Sequence, residues 1–352
     1  MPEAKPKLES VRAIAELCTI AIPILAGVVI AYVVLSVFII PRIGFPGDLS
    51  RIVKLEERLD SSPVDSNRVV LVSNSVGVEG LEATSVQQEL DSGFAVENQA
   101  VNSLDLLSGR LYIGRVLESN PQILVWILRP ETIGRIVPIN PEVASAMRFA
   151  NFHNQADWLN EQSIPGLSPE ARSRLDATDF QTLVSLRSIP LRHLNDQVRV
   201  RTRKGVLPPK PLELNAPYQI NQDIAGQKLQ RHLDQIAFNL DERTKDDNID
   251  GIAFIQSTIQ QILQTSTTPI LVIAPTNPLA DEAFSNAEVA FAQAMNEISQ
   301  STGVVVIDLT KTLSSDEFAD AIHPNRGGAR KFSAILGQAL RSHFDQTARE
   351  QN

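Results

Sequence analysis

Cysteine is almost absent from this chain, which has one, Cys18, among 352 residues. A single cysteine forms no disulfide within its own chain and cannot build a cysteine-based metal site. Histidine is also scarce, and four of the five histidines show no spacing typical of metal ligands: His153, His193, His232 and His343. The sequence therefore predicts neither a metal site nor a bound cofactor.

Positive charge is also in short supply, since 32 Lys and Arg face 41 Asp and Glu, a net charge of −9. Nucleic-acid binding depends on clustered Lys and Arg, so a nucleic-acid partner is not expected. One basic stretch stands out: Arg199, Arg201, Arg203, Lys204 and Lys210. It either meets phosphate head groups or an anionic polymer, or forms a solvated face balanced by nearby acids, which is the simpler interpretation.

Charge of either sign is missing from residues 17–40, which are rich in Ile, Val, Leu and Ala. Because about 20 apolar residues cross a bilayer core as a helix, residues 17–41 are predicted to span a membrane and contact lipid. A cleaved signal peptide would have a shorter apolar core and a small-residue cleavage site. A buried core helix would show a polar face. The sequence favours an uncleaved anchor.

Basic residues do not fix the orientation of this anchor, because they flank both ends of the span: Lys5, Lys7 and Arg12 before it, and Arg42, Arg51, Lys54 and Arg58 after it. We adopt the commoner arrangement, with a short tail of residues 1–16 inside and the large domain outside the cell membrane. The remaining chain divides into three parts: a stalk over 42–67, an α/β domain over 68–345 with an insertion at 135–245, and a tail over 346–352.

Five short apolar runs rich in β-branched residues predict strands, and helical patterns separate them. The runs are 69–72, 94–98, 123–128, 269–274 and 304–307. Strands that are apolar throughout are typical of a parallel sheet covered on both faces, since a sheet with one wet face would alternate. The predicted fold is therefore an α/β domain with a five-stranded parallel sheet.

Polar motifs follow the first and last strands, and ligands bind at the carboxyl ends of strands in an open parallel sheet. Ser73-Asn74-Ser75 precedes a helix, and Asp320 and His323 lie three apart before the final helix. A serine nucleophile needs a base to take its proton, histidine suits that role, and a carboxylate orients the imidazole. Ser75, His323 and Asp320 are the predicted catalytic residues. Considered one at a time, a serine or histidine in such a position is more often a helix cap or a surface residue than a catalytic one.

With these motifs the chain resembles the SGNH hydrolase superfamily, also called GDSL-like. Residues 73–75 are similar to its first block, Gly-Asp-Ser, and 320–323 to its last block, Asp-x-x-His. Residues 98–103 are similar to its second block, with both glycines replaced, and Leu128-Arg129-Pro130-Glu131 stands where the third block has an asparagine. The resemblance covers 68–130 and 250–343, and implies a flavodoxin-like α/β/α sandwich.

The resemblance extends to the membrane-anchored branch that serves cell-surface acylation, including DltD-like and alginate O-acetylation proteins, through the anchor and a Pro-x-Asn segment, Pro275 to Asn277. It implies an esterase or O-acyltransferase that acts on a surface glycan or polymer, with a multi-spanning membrane O-acyltransferase as partner. The alternative is a catalytically inactive SGNH-like module that binds polymer or scaffolds a membrane complex, which the altered second and third blocks favour.

Six further residues are candidates for the oxyanion or substrate: Val76, Asn102, Ser103, Asn277, Arg129 and Glu131. Backbone N–H groups near Val76 and at 102–103 would stabilise a tetrahedral oxyanion, and the Asn277 amide would replace the missing asparagine. The other interpretation of Asn277 is a turn residue before Pro278. Arg129 and Glu131 either bind substrate or pair with each other or with the insertion.

Overall fold

The structure is a computed structural model that describes residues 19, 21–27, 30, 47–62, 67–90, 93–102, 104–130, 213–217, 225–245 and 251–350. These residues belong to two compact units, one drawn from 1–47 and 187–208 and the other from 48–186 and 209–352. In the first unit, residues 21–27 are helical and exposed. Among the described residues, no helix combines the length and apolar character needed to cross a bilayer. Most of the predicted span 17–41 and of the insertion 135–245 lies outside the described residues.

The second unit is built on a parallel sheet, as the apolar runs predict. Its strands are β1 (Arg68–Val72), β2 (Ala95–Asn98), β3 (Ile123–Leu128), β4 (Thr268–Ile273) and β5 (Val305–Asp308). The described strands form one five-stranded sheet in the order β2-β1-β3-β4-β5, with every neighbouring pair parallel. Since the chain leaves β1 toward β2 on one side and returns to β3 on the other, the carboxyl ends of β1 and β3 border a crevice, the usual ligand position in such sheets.

Helices connect the strands. The described helices are α1 (Gly47–Ser61), α2 (Ser75–Gly80), α3 (Ala83–Leu90), α4 (Leu106–Glu118), α5 (Gln227–Lys245), α6 (Gly251–Ile262), α7 (Asp281–Thr302) and α8 (Arg326–Glu350). Short 3-10 turns at Pro278–Ala280 and Ser315–Glu317 precede α7 and α8. The α/β class with an all-parallel sheet is confirmed.

Both faces of the sheet are covered. Val69 and Leu71 of β1 belong to one core with Phe332 and Leu336 of α8. Side chains alternate along a strand, so Val70, which is also fully buried, faces the opposite side. That side carries α4, α6 and α7, and α6 contacts both of the other two helices. Burial on both faces explains why the strands are apolar throughout.

Helix α1 occupies part of the predicted stalk, 42–67, and from Asp48 on it belongs to the second unit. Ile52 and Leu55 are fully buried. Its buried Arg51 donates through Nε to the Ala100 carbonyl at 2.6 Å, just after β2, and Arg115 of α4 pairs with Glu56 at 2.8 Å. The sequence predicts a stalk here and not a buried helix, because the contacts that bury α1 come from residues far along the chain.

Candidate active site

The turn between β1 and α2, residues 73–77, is called the nucleophile turn here. Asn74 caps α2, and its side-chain oxygen accepts from the Val76 N–H at 3.1 Å. Ser75 is therefore the first residue of a helix that starts directly after a buried strand. This placement puts its hydroxyl at the carboxyl edge of the sheet, as the sequence pattern predicted.

Gly77 lets the nucleophile turn lie close to its neighbours. A Cβ at this position would lie 2.4 Å from Ser73 Cβ and 2.8 Å from Ala100 Cβ, closer than real contacts allow. The Asn98 amide adds a second tie, donating to the carbonyl oxygens of Gly77 at 3.0 Å and Leu81 at 3.2 Å. Small residues and one buried amide therefore fix the position of α2.

The segment between β5 and α8, residues 318–325, is called the base loop. Phe318 and Pro324 form an antiparallel bridge, and the Ala319 N–H donates to the His323 carbonyl at 2.8 Å. Within this loop one Asp320 carboxylate oxygen accepts from the backbone N–H groups of Ile322 at 2.8 Å and His323 at 2.7 Å. The spacing of three between Asp320 and His323 thus closes a tight turn around the carboxylate.

Ser75, His323 and Asp320 form a continuous hydrogen-bonded relay. His323 Nε2 lies 2.9 Å from Ser75 Oγ, and His323 Nδ1 lies 2.8 Å from Asp320 Oδ2. A carboxylate at Nδ1 favours a proton there, which leaves Nε2 to accept the Ser75 hydroxyl proton. Asp320 and His323 are buried, whereas Ser75 is partly exposed.

The ionised form of Asp320 is stabilised in place. Burial by itself would raise the pKa of this carboxyl, but the hydrogen bond and charge of His323 and the N–H groups of Ile322 and His323 outweigh it, so the pKa lies below its ordinary value. An ionised carboxylate is what the relay requires, because it stabilises the imidazolium that forms when Ser75 gives up its proton.

Two of the predicted oxyanion or substrate residues hold the base loop. The Asn277 amide donates to the Asp320 carbonyl at 2.9 Å, and its oxygen accepts from the Leu279 N–H at 3.0 Å. Arg129, buried directly after β3, donates through Nη1 to the Ile322 carbonyl at 2.8 Å. The structure therefore places both side chains against the backbone of this loop.

The other candidates have different outcomes. The Val76 N–H donates to Asn74. Asn102 is buried in the turn after β2, where the Val101 N–H donates to the Ser73 carbonyl at 3.0 Å and ties this turn to the nucleophile turn. Ser103 and Glu131 lie outside the described residues. The roles of these residues at an oxyanion stay predictions.

Two residues that the sequence did not single out also belong to this site. Glu79 of α2 is buried, and its Oε1 lies 3.7 Å from His323 Nε2. His232 of α5 places Nδ1 4.0 Å from Asp320 Oδ2. Glu79 has a sequence signal, because it stands four residues after Ser75 and i, i+4 residues share a helix face. His232 has none, since α5 reaches the base loop from a remote part of the chain.

This arrangement brings together a partly exposed serine, a histidine in contact with it, and an ionised carboxylate behind the histidine, the order of groups that activates a serine nucleophile. Among the described residues, no group of acidic, histidine or cysteine side chains could hold a metal ion. The fold and site together define the class, an α/β protein with a Ser-His-Asp relay at the carboxyl edge of a parallel sheet. No family model and no curated protein matches the sequence.

Proposed function

We propose that this chain is a membrane-anchored esterase or O-acyltransferase of the SGNH type, with a flavodoxin-like α/β/α sandwich as its catalytic domain. The observation that carries the proposal is the relay from Ser75 through His323 to Asp320, with contacts of 2.9 and 2.8 Å. The three residues come from the first and last blocks through which the sequence resembles that superfamily. The β2-β1-β3-β4-β5 strand order also supports it.

In the proposed reaction, His323 Nε2 takes the Ser75 proton while Ser75 Oγ forms a bond to the acyl carbonyl carbon. The carbonyl oxygen becomes a tetrahedral oxyanion, for which backbone N–H groups beside Ser75 and in the turn after β2 are the candidate donors. Collapse of this intermediate breaks the ester bond, and the leaving alcohol takes the proton from His323. Water or a sugar hydroxyl then attacks the acyl-serine by the reverse route.

The proposed substrate is an acylated cell-surface glycan or polymer, and the proposed anchor is the uncharged stretch at 17–41. Anchoring would hold the acyl-handling site within reach of polymers at the outer surface of the cell membrane. A multi-spanning membrane O-acyltransferase is the proposed partner if transfer to a sugar, rather than hydrolysis, is the physiological reaction. These parts of the proposal come from the resemblance and the sequence.

A second candidate is a catalytically inactive binding or scaffold module. Specific contacts favour it: the Val76 N–H donates to Asn74, and the Asn277 amide donates to the Asp320 carbonyl. Both groups were candidates for stabilising an oxyanion, and both already have hydrogen-bond acceptors. An enzyme with this site must bind the oxyanion through other donors or rearrange these contacts.

Covalent labelling by a fluorophosphonate probe on the full-length chain in detergent separates the two candidates. The enzyme proposal expects labelling of the wild type and none of Ser75→Ala. Labelling of His323→Ala should be slower by about a thousandfold or more, since loss of the general base removes most of the activation of the serine. Ser85→Ala is the matched control, because Ser85 also lies near the start of a helix but hydrogen bonds to Glu82.

If folded wild-type protein takes no label, the result favours the scaffold candidate over the enzyme. Because some acyl-transfer proteins ignore such probes, the acyl content of surface polymer is the second measurement. Cells carrying Ser75→Ala should lose the acyl groups that cells carrying Ser85→Ala retain. Equal acyl content in the two strains would remove the catalytic proposal.

A further inference from the structure

Glu79 is a buried carboxylate beside the relay that the reaction described above does not use. It lies one helical turn after Ser75 on the same face of α2. Its Oε1 is 3.7 Å from His323 Nε2, the same nitrogen that contacts Ser75 Oγ at 2.9 Å. At 3.7 Å the carboxylate makes no hydrogen bond to that nitrogen, so Ser75 retains the contact and Glu79 acts through its charge.

The His323 imidazole therefore lies between two buried carboxylates, Asp320 at Nδ1 and Glu79 near Nε2. The side chains of both acids are 2–3 % exposed, and that of His323 is 9 % exposed. A protonated imidazole is attracted to both carboxylates, whereas a neutral one carries no charge for them to attract. Charges in such a dry site interact more strongly than at a protein surface.

We propose that Glu79 is a positioning residue of the relay that stabilises protonated His323 from the side opposite Asp320. The inference rests on the proposed function, because His323 becomes protonated when it takes the Ser75 proton. The attraction between Glu79 and His323 grows as the imidazole becomes protonated. It therefore stabilises the transition state more than the resting state, and the barrier to attack by Ser75 falls. Glu79 thus supplies part of the stabilisation that the relay obtains from Asp320.

Other groups around the imidazole do not replace this effect. His232 of α5 lies 4.0 Å from Asp320, and Arg129, directly after β3, donates to the Ile322 carbonyl, so both side chains approach the base loop. Helix α8 brings neutral groups to the end of α2: Phe332 lies near Gly80, and Ser333 donates to the Gly80 carbonyl at 3.5 Å. Glu79 is the acid that α2 itself brings to Nε2.

The test is the pH dependence of fluorophosphonate labelling, measured on full-length wild type and Glu79→Gln. The substitution keeps the shape and removes the charge. Without this negative charge the protonated imidazole is less favourable, so the acid limb of the profile should move to lower pH, by about one unit. The plateau rate should fall by up to about tenfold, the factor that corresponds to one unit. A variant that only disturbs the structure would lower the plateau rate of labelling without moving the acid limb of the pH profile.

Glu82→Gln is the matched control, because it makes the same charge change three residues further along, where Glu82 accepts from Ser85. Its profile should superimpose on that of the wild type. If Glu79→Gln gives the same profile as Glu82→Gln, or a limb at higher pH, the inference is overturned while the Ser75-dependent labelling of the wild type still supports the enzyme.

Circular dichroism of each variant establishes that it is folded. If Glu79→Gln does not fold, Glu79→Asp is measured instead. It keeps the charge but withdraws it by one methylene, so the limb should move in the same direction by less than a unit, and an unmoved limb overturns the inference. Folded wild-type protein that never reacts with the probe overturns this inference, which requires a reactive Ser75. The enzyme proposal falls as well if cells carrying Ser75→Ala and Ser85→Ala have equal acyl content.

Discussion

The nucleophile turn and the base loop meet at one hydrogen bond, yet different kinds of contact hold them in place. Polar groups from other strands fix the base loop: Arg129 after β3 and Asn277 after β4 each donate to one of its carbonyl oxygens. Close packing of small residues, Ser73, Gly77 and Ala100, holds the nucleophile turn in addition to its hydrogen bonds from Asn98 and Val101. The difference teaches that added volume should disturb the nucleophile turn in particular, whereas loss of a side-chain donor after β3 or β4 should disturb the base loop.

Gly77→Ala should have the largest effect, because the new Cβ would overlap Ser73 and Ala100. Overpacking of this kind should lower the free energy of unfolding by about 3 kcal/mol and displace Ser75 from His323. Urea unfolding followed by circular dichroism measures the loss, and probe labelling measures the displacement.

Gly109→Ala is the control for that change. A Cβ at Gly109 would meet its nearest atoms at 3.8 Å, an ordinary contact distance. Because Gly109 lies in the interior of α4, its replacement by alanine should leave the free energy of unfolding unchanged or raise it by up to about 1 kcal/mol. Similar losses in the two variants would show that helical glycines in general, not the close approach at 77, account for the effect.

Arg129→Met is the corresponding change in the base loop. It keeps an apolar side chain near the Phe284 ring, 5.6 Å from the guanidinium carbon, but leaves the Ile322 carbonyl without its donor. A buried acceptor that loses a charged donor should cost about 2 kcal/mol of unfolding free energy. Labelling of Ser75 should also fall, since the same loop carries His323.

The matched control is Arg110→Met. Arg110 is also buried, lies over the Phe254 ring at 5.3 Å, and donates to the Ser257 hydroxyl at 3.1 Å, away from the relay. Both variants should lose stability, but only Arg129→Met should slow labelling at a pH and temperature where both are folded. Equal labelling by the two would mean that Arg129 does not position the base loop.

Acid should weaken the base loop through Asp320. Its pKa is lower when folded than the ordinary value of 3.8, so the stabilisation it provides is present above that value and is lost as pH falls through the folded pKa. The difference in unfolding free energy between wild type and Asp320→Asn should therefore shrink as the pH falls below about 4. Comparison with the variant cancels the titration of other acids, and a difference that stays constant over this range would contradict the expectation.

Ser73→Ala should have the smallest effect. Within the described residues the Ser73 hydroxyl is buried and has no hydrogen-bond partner. Its removal should change the unfolding free energy by less than about 0.5 kcal/mol, or stabilise the chain slightly. Ser108→Ala, which removes a buried hydroxyl that contacts Asp105 at 3.2 Å, should instead cost about 1 kcal/mol. A large loss at Ser73 would show that the Ser73 hydroxyl itself makes a polar contact that holds the nucleophile turn.

Much of the sheet could be predicted, since period and composition locate strands that are buried on both faces. The run at 123–128 coincides with β3, and the other four runs agree with their strands to within a residue at each end. The order of the strands was not accessible, because register and neighbours depend on contacts between distant residues. The burial of α1 was missed for the same reason: its partners include Ala100 and Arg115.

By itself the sequence determined the candidates for the relay, because a serine after the first strand and an Asp-x-x-His before the last helix must both lie at the carboxyl edge of a parallel sheet. Only the tertiary structure decided what surrounds them. Asn277 and Arg129 reach the backbone of the base loop, and Glu79 lies beside His323, through side-chain directions that no spacing specifies. Local pattern fixes which edge a residue occupies, whereas packing fixes which atoms meet.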